Sequence, residues 1–237
     1  MLHNGLDLKR TAKAFLPQSL IEKGATAMFL AKKQFSGFAG AEVPDDPHFD
    51  DQSTTYFLDK LDQCTFYLEY GTGGSTIQAA RKGKPFIAVD SDMDFVNAVK
   101  KKIGKLGSDQ NLINIDIGVT GLWGVPVFKK PTKSRLAKWR RYPSLPWTLI
   151  TAQRVPDLIL VDGRFRVSCA LTCIKNMRDR SNFTLLIDDY KERPNYHIVE
   201  RFAQLNALVG RMAVFNKASF NANDLDQELQ SHSSDWR

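Results

Sequence analysis

The middle of the chain alternates short apolar runs with segments of helical periodicity. The apolar runs lie at 65–68, 85–89, 112–115, 158–161 and 183–187. Between the second and third runs, Met93, Val96, Val99 and Ile103 recur at the spacing of one helix face. Strands that alternate with helices favour a parallel sheet with right-handed crossovers. We therefore predict an α/β fold with a Rossmann-like open, mostly parallel sheet and helices on both faces, extended by one or two edge strands in 208–216.

Length and composition exclude several classes of protein. The 237 residues are enough for one large domain or two small ones, and 43% of them are hydrophobic, which excludes disorder as the dominant state. No apolar stretch approaches the roughly 20 residues that span a bilayer, and the N-terminus lacks the apolar core of a signal peptide. The three cysteines are an odd number without zinc-ligand spacing. We expect a soluble, cytoplasmic protein without a membrane partner; the composition specifies no oligomeric state.

The chain divides into three parts by composition. Residues 1–55 combine a helix-like stretch with a connector rich in Gly, Pro and Asp, which is typical of an N-terminal extension. Residues 56–222 carry the alternating pattern, and the polar residues 223–237 are expected to form a C-terminal tail. Within the α/β part, 118–155 is an insertion longer than most connections in compact domains, and we interpret it as lid-like.

The insertion also holds the net positive charge of the protein. The formal charge is +7, and the segment 129–141 contains seven basic residues and no acid. The other 26 Lys and Arg residues balance the 26 Asp and Glu residues. A concentrated basic segment attracts nucleic acid or another polyanion, whereas the simpler interpretation is a solvated loop.

The strongest local motif follows the first apolar run and reads EYGTGGSTIQAA. It contains an acid that ends the strand, three glycines and two hydroxyl residues that open a helix: Glu69, Gly71, Gly73, Gly74, Ser75 and Thr76. Glycines allow a tight turn and a close approach to a ligand, while N–H groups at the start of a helix point toward it. Asp90 follows 19 residues after Gly71, at a distance suited to binding a ribose diol. The alternative is a glycine turn that only packs the strand against the helix.

Two features decide which nucleotide this motif fits. A dinucleotide fingerprint places a third glycine where Thr76 stands, and Glu69 is a poor neighbour for a pyrophosphate. A ligand with a cationic sulfonium and an amino group suits the acid better. The pattern ExGxGGST, followed by an acid at the end of the second strand, resembles motifs I and II of class I S-adenosylmethionine-dependent methyltransferases. The resemblance implies S-adenosylmethionine as the cofactor, bound by the motif and Asp90, with Asp116 beside the adenine.

Later segments resemble a narrower group. The sequences VDGRFRVSCAL and TLLIDDYKERPNYH look similar to those of a bacterial group of methyltransferase-like proteins of unassigned substrate, and the resemblance covers roughly residues 55–217. The resemblance implies a fold and a cofactor, but it does not identify the acceptor of the methyl group.

Three aspartates end the fourth and fifth apolar runs. Asp162 follows the fourth run, and Asp188 and Asp189 follow the fifth, so their carboxylates are expected to converge at the carboxyl edge of the sheet. Three carboxylates suit Mg²⁺ or Ca²⁺. Metal-dependent O-methyltransferases place acids at matching positions, so the resemblance implies a Mg²⁺ site. In the alternative interpretation the aspartates cap helices or pair with nearby arginines.

Other residues near this edge have two interpretations each. Arg164 and Arg166 hold an acidic group of the substrate, or they neutralise the aspartates. Phe165, between them, stands where related metal-dependent members have a histidine. Trp123, together with the other tryptophans of the insertion, roofs an acceptor pocket or anchors the insertion to the sheet. His197 is a candidate general base or a residue of a helix surface.

These observations favour an enzyme that transfers the sulfonium methyl group to a small-molecule acceptor, with oxygen as the favoured nucleophile and a metal as an aid. Asp162 is the residue that we expect nearest to the chemistry. The alternative is a protein that binds RNA or another polyanion through 129–141, as an RNA methyltransferase or as a cofactor-binding module without catalysis. A nicotinamide-dependent dehydrogenase ranks third because of Thr76 and Glu69.

Overall fold

The structure is a computed structural model that describes residues 42–237 and, before them, Gly24. The chain divides into two compact units, Met1–Ala41 and Glu42–Arg237, and the second unit contains the α/β fold. Of the helix-like stretch predicted for the N-terminal extension, the residues other than Gly24 lie outside the described residues. In the part of the chain that is described, no helix has the length and hydrophobicity of a membrane span.

Seven strands of the second unit form one sheet. Their bounds are β1 Tyr67–Tyr70, β2 Phe86–Asp90, β3 Gln110–Asn114, β4 Leu158–Val161, β5 Thr184–Ile187, β6 Ala203–Val209 and β7 Met212–Lys217. The strand order is β3-β2-β1-β4-β5-β7-β6. β1 to β5 are parallel, while β7 pairs antiparallel with β5 and with β6. The predicted fold class is confirmed, and 208–216 lies in the edge hairpin of β6 and β7.

The α-helices of residues 42–237 cover both faces of this sheet. Their bounds are α1 Asp51–Gln63, α2 Gly74–Arg81, α3 Met93–Ile103, α4 Lys133–Ser144, α5 Arg166–Met177 and α6 Ala222–Ser231. Side chains alternate across a strand, so Leu68 and Tyr70 of β1 enter one core and Tyr67 enters the other. Helices α4, α5 and α6 contribute to the first core, and α1, α2 and α3 to the second. The carboxyl ends of β1, β2, β4 and β5 therefore meet at one edge between two helical layers.

Most of the insertion 118–155 belongs to a helical layer, and its lid-like role stays a prediction. Its helix α4 buries Trp139, whose Nε1 donates to the Ile117 carbonyl at 3.0 Å. Trp147 Nε1 donates to Tyr70 Oη at 2.9 Å, which ties the end of the insertion to β1. The physical reason is amphipathicity, since Trp139 and Tyr142 lie on one helix face and both are buried. These tryptophans anchor the insertion to the sheet.

The two ends of the second unit are also ordered. Residues 42–50, which we call the strap, have no regular secondary structure, but Val43 and Pro47 are buried. The Asp50 side chain accepts from the Ser53 N–H at 3.0 Å and so caps α1. Within the predicted polar tail, α6 buries Leu225 in the core that α5 lines. The structure thus shows a packed helix in a segment whose composition predicted a tail.

Candidate active site

The glycine-rich motif forms the turn between β1 and α2, and Glu69 holds it from below. Glu69 is buried, and its carboxylate accepts from the Ser75 hydroxyl and, at 2.8 Å, from the Thr76 hydroxyl. Thr76 Oγ1 in turn accepts from the Gly73 N–H at 3.1 Å. Burial raises the pKa of Glu69 to about 8, although these hydroxyl hydrogen bonds oppose the shift. Both side-chain oxygens of Glu69 therefore accept hydrogen bonds from residues at the start of α2.

Gly71 is the point at which the β1 loop touches the loop after β4. Its φ is +97°, and a Cβ at this position would lie 2.7 Å from the Gly163 nitrogen and 2.9 Å from the Asp162 carbonyl carbon. Only glycine avoids both the left-handed strain and the backbone contact. The two loops thus meet directly, which places Asp162 beside the glycine motif.

Asp90 at the end of β2 is bonded to the same glycine loop. Its Oδ2 accepts from the Thr72 N–H at 2.9 Å and from the Thr72 hydroxyl at 3.1 Å, and its Oδ1 accepts from the Asp92 N–H at 3.0 Å. Burial raises the pKa of Asp90, and these hydrogen bonds oppose the shift. Because a carboxylate oxygen accepts about two hydrogen bonds, Oδ1 retains capacity for one more donor.

The turn Leu122–Gly124 and the strap lie beside this loop. Ser91 Oγ donates to the Gly124 carbonyl at 3.3 Å, so the turn contacts the residue after Asp90. The strap crosses the start of α2, where a Cβ on Gly74 would lie 1.9 Å from the Asp46 carbonyl oxygen. The Trp123 side chain is 76% exposed, and its ring centroid is 6.0 Å from that of His48 in the strap. Trp123 therefore joins the turn to the strap.

Asp116, predicted to lie beside the adenine, is exposed and follows β3. Its Oδ1 accepts from the Gly118 N–H at 2.7 Å, and its Oδ2 pairs with Lys138 Nζ at 2.5 Å. The hydrogen bond from Lys138 lowers the pKa of Asp116. One residue of the basic segment is thus committed to this ion pair, and the adenine-binding role stays a prediction.

Asp162, Asp188 and Asp189 converge as predicted, since one oxygen from each lies within 4.8 Å of the others. Three arginines neutralise them. Arg211, from the turn between β6 and β7, donates to both oxygens of Asp188, at 2.9 and 2.7 Å, and lies 3.3 Å from Asp189 Oδ1. Arg193 donates to Asp189 Oδ2 at 3.1 Å. Asp188 is only 1% exposed, and Arg211 is its ion-pair partner in this buried position.

Arg166 is the third of these arginines, and it uses all five of its N–H donors within the protein. Nε donates to the Gly163 carbonyl at 3.1 Å. One terminal nitrogen bonds the Asp188 carbonyl at 2.7 Å and Asp189 Oδ2 at 3.1 Å, and the other bonds the Asp162 carbonyl at 2.9 Å and Asp162 Oδ1 at 2.8 Å. A guanidinium has five donors. In this arrangement Arg166 joins the loops after β4 and β5 and leaves no N–H for a substrate.

The cluster does not fit Mg²⁺ in this arrangement. Guanidinium nitrogens lie within 3.3 Å of five of the six carboxylate oxygens, and only Asp162 Oδ2 has no donor among the described residues. Magnesium needs carboxylate oxygens directed at the ion, and three neighbouring guanidiniums repel a divalent cation. The geometry corresponds to the alternative interpretation, in which the aspartates pair with arginines.

Asp162 is the member of the cluster with an available oxygen. Burial raises its pKa to about 7, against the lowering effect of Arg166 and together with the raising effects of Asp188 and Asp189. By contrast, although burial raises the pKa of Asp189, its arginine neighbours outweigh this and the pKa is lowered. Two neighbouring carboxylates thus differ in their affinity for a proton.

Three non-glycine residues in 42–237 have a positive φ, and all three lie at this edge of the sheet. They are Trp123 at +60°, Phe165 at +55° and Asp189 at +56°. Such residues cost about 1 to 3 kcal/mol each and cluster at functional sites. Phe165 is buried directly before α5 and its ring centroid lies 5.7 Å from that of Trp139, so its side chain is part of the core.

Sequence reasoning missed Arg211 and the strap. Arg211 follows Gly210 in an edge hairpin, and no motif links it to the aspartates. Its position next to a positive-φ glycine marks a turn but carries no sign of a partner. His197, a candidate base, is exposed and lies against the Tyr190 ring, with a centroid distance of 5.0 Å. The structure places it on the surface of a 3₁₀ helix.

Comparison with known proteins identifies similar structures. A methyltransferase-like protein from Silicibacter pomeroyi aligns with 80% of this chain and 97% of its own at 30% identity, with a TM-score of 0.68. A Podospora anserina methyltransferase bound to S-adenosylhomocysteine is 14% identical over 92% of this chain and 99% of its own, with a TM-score of 0.47. An O-methyltransferase from Bacillus cereus in complex with the same compound is 14% identical over 88% and 96%, with a TM-score of 0.44. No protein-family model and no curated protein matches the chain.

The Silicibacter pomeroyi protein is similar to this chain in both sequence and fold, and the similarity extends over most of both chains. The narrower bacterial group suggested by the VDGRFRV and LIDDY segments stays a prediction. On this evidence the chain belongs to the family of that methyltransferase-like protein.

Proposed function

We propose that the protein is an S-adenosylmethionine-dependent methyltransferase that acts on a small-molecule acceptor, with oxygen as the favoured nucleophile. The observation that carries the proposal is the bonding of the glycine loop to Asp90 through both the N–H and the hydroxyl of Thr72. This bonding holds the loop and the acid in one geometry, and Asp90 Oδ1 keeps capacity for a ribose hydroxyl.

The acids of the loop divide their roles in this proposal. Glu69 is a positioning residue, because its oxygens hold the Ser75 and Thr76 hydroxyls at the start of α2. Asp90 and Asp162 present negative charge at the edge of the sheet, which suits a ligand with a cationic sulfonium and an amino group. Gly71, Gly73 and Gly74 let this ligand approach the backbone.

Methyl transfer would place Asp162 next to the acceptor hydroxyl. The acceptor oxygen forms a bond to the methyl carbon while the carbon–sulfur bond breaks, and Asp162 Oδ2 takes the hydroxyl proton. A carboxylate whose pKa is about 7 suits a general base near neutral pH. The products are the methylated acceptor and S-adenosylhomocysteine. No step passes through a metal, because the arginines occupy the aspartates.

Calorimetric titration with S-adenosylhomocysteine tests the proposal. We expect saturable binding by the native protein and a loss of at least about tenfold in Asp90→Asn, which removes the charged acceptor but keeps the shape. The matched control is Asp109→Asn, because Asp109 is exposed and lies directly before β3 at the opposite edge. No binding by the native protein, or equal weakening in both variants, would contradict the proposal.

A polyanion partner is a second proposal, supported by the exposed cations of the basic segment. Lys130, Lys133, Arg140 and Arg141 are all exposed on or before α4. We expect RNA binding to weaken steeply as salt rises if this surface is used, and to be lost when these four residues are replaced by Gln. RNA binding that does not change with salt concentration would contradict the second proposal.

The predicted cytoplasmic location stays a prediction.

A further inference from the structure

Three buried side-chain polar atoms in 42–237 lack a hydrogen-bond partner, namely Tyr67 Oη on β1, Arg164 Nε after β4 and Tyr196 Oη after β5, and the last two follow the strands that carry the aspartates. Tyr196 is only 1% exposed. Burying an N–H or O–H without a partner costs free energy, so two such atoms in the segments that follow β4 and β5 point to a ligand that the fold accommodates.

The two groups act on each other electrostatically. The charge of Arg164 opposes the effect of burial on the pKa of Tyr196, together with Arg166 and Arg193. The ring of Tyr196 also lies 5.6 Å from the Arg193 guanidinium. Three arginines and one acid, Asp189, thus act on Tyr196, and its hydroxyl is available as a donor to an anion.

Arg164 differs from the other arginines of this edge in having no counter-ion. Arg166, Arg193 and Arg211 each pair with an aspartate, whereas no acid within 42–237 pairs with Arg164. Burial and the charge of Arg166 lower the pKa of Arg164, and the charge of Asp162 opposes them. A half-buried guanidinium whose Nε–H is buried without an acceptor is unfavourable, and an oxyanion would satisfy it.

The stem of Arg164 lies next to the cofactor loop. A Cβ on Gly124 would be 3.7 Å from Arg164 Cγ and 3.7 Å from Asp90 Oδ1. The stem of Arg164 and the acid predicted to bind the ribose therefore both lie beside Gly124. Gly163, directly before Arg164, touches Gly71. An oxyanion bound by Arg164 would therefore sit within the cleft where the cofactor and the acceptor meet.

We infer that Arg164 and Tyr196 form an oxyanion site that binds a carboxylate or phosphate group in this cleft. The inference rests on the proposed function and narrows it, because the anion belongs either to the acceptor or to the methionine part of the cofactor. Arg166, which sequence analysis placed beside Arg164 in this role, is excluded from it by its five internal hydrogen bonds.

The test is a titration of the full chain with inorganic phosphate at constant ionic strength, followed by calorimetry and thermal unfolding. We expect saturable binding that weakens at least about tenfold, or about 1.4 kcal/mol, in Arg164→Gln and about threefold in Tyr196→Phe. Arg164→Lys keeps the charge but loses the planar pair of N–H donors, so its loss of phosphate affinity should lie between those of Arg164→Gln and Tyr196→Phe. The matched control is Arg180→Gln, because Arg180 is exposed beyond the other end of α5.

S-adenosylhomocysteine, which has the amino-acid carboxylate, and methylthioadenosine, which lacks it, identify the source of the anion. If S-adenosylhomocysteine displaces phosphate, and Arg164→Gln weakens S-adenosylhomocysteine but not methylthioadenosine, the site binds the cofactor carboxylate. If phosphate binds equally well to the protein saturated with S-adenosylhomocysteine, the anion belongs to the acceptor. Both results support the oxyanion site.

The same experiments distinguish a wrong oxyanion site from a wrong methyltransferase proposal. Phosphate binding that depends on Arg164, without any binding of S-adenosylhomocysteine, would support the site and contradict the methyltransferase proposal. Binding of S-adenosylhomocysteine that Arg164→Gln leaves unchanged, together with no phosphate binding or phosphate binding indifferent to Arg164, would overturn the site.

Discussion

Replacing Gly74 by Ala places a methyl group against the backbone of the strap. The added Cβ would lie 1.9 Å from the Asp46 carbonyl oxygen and 2.7 Å from the Pro47 nitrogen. These are backbone atoms, so no rotation of a side chain relieves the contact. The strap would have to move away from α2, although the Gln78 side chain donates to the Asp45 carbonyl and to Asp46 Oδ1.

The magnitude follows from two opposing effects. Within a helix, Ala is more favourable than Gly by at most about 1 kcal/mol. Overpacking costs about 1 to 3 kcal/mol, and exposing the buried Val43 on release of the strap costs about 1.5 to 3 kcal/mol. We expect a net destabilisation of about 1 to 3 kcal/mol. For a unit of this size, that lowers the melting temperature by roughly 2 to 12 °C.

The assay is urea denaturation with Gly73→Ala as the control. Gly73 precedes Gly74, and a Cβ there would meet nothing within 4 Å. We expect Gly73→Ala to retain the stability of the native protein, and Gly74→Ala to lose stability and become more sensitive to proteolysis in 42–50. A Gly74→Ala protein as stable as the native one, or more stable, would refute the position of the strap, since helix propensity alone predicts a gain.

Three further perturbations test the charge network and the cofactor loop. Arg211→Met leaves Asp188 buried without its bidentate partner and should cost about 3 to 5 kcal/mol in urea denaturation, whereas a loss below about 1 kcal/mol would contradict the ion pair. Because the pKa of Glu69 rises to about 8 in the folded protein, the native state binds its proton more tightly than the unfolded state, so stability should fall as pH rises from about 5 to 8. Glu69→Gln should flatten that fall in denaturation curves at pH 6 and 8, and an unchanged slope would contradict the shift. Mg²⁺ titrated to about 10 mM should give no saturable heat and leave the affinity for S-adenosylhomocysteine unchanged; tight binding lost in Asp188→Asn would instead restore the metal site.

The strands were predictable because apolar runs mark buried sheet positions, but their ends were less so. The run 158–161 coincides with β4, whereas the run 65–68 begins two residues before β1. Glu69 and Tyr70 extend β1 although their side chains are polar, because hydrogen bonds within the protein satisfy them. His197, expected on a helix surface, lies in the 3₁₀ helix Pro194–Arg201, and the chain then continues as β6, because pairing with β7 overrides local propensity.

The site was predictable where a motif carries it and not where distant segments meet. The convergence of Asp162 with Asp188 follows from parallel strands sharing an edge. Arg211 approaches them from a hairpin turn, and the sequence around it predicts only the turn. The strap has the composition of a linker, yet Asp45 pairs with both Arg81 and Lys102 on two helices. Such long-range contacts leave no local pattern.

Amide hydrogen exchange with and without S-adenosylhomocysteine is the most direct test of the central claim that the loop after β1 and the acid after β2 bind this cofactor. The account predicts slower exchange in peptides covering 69–77 and 88–93, with little change in 129–141. Unchanged exchange in the first two segments at saturating S-adenosylhomocysteine, or protection confined to the basic segment, would contradict it.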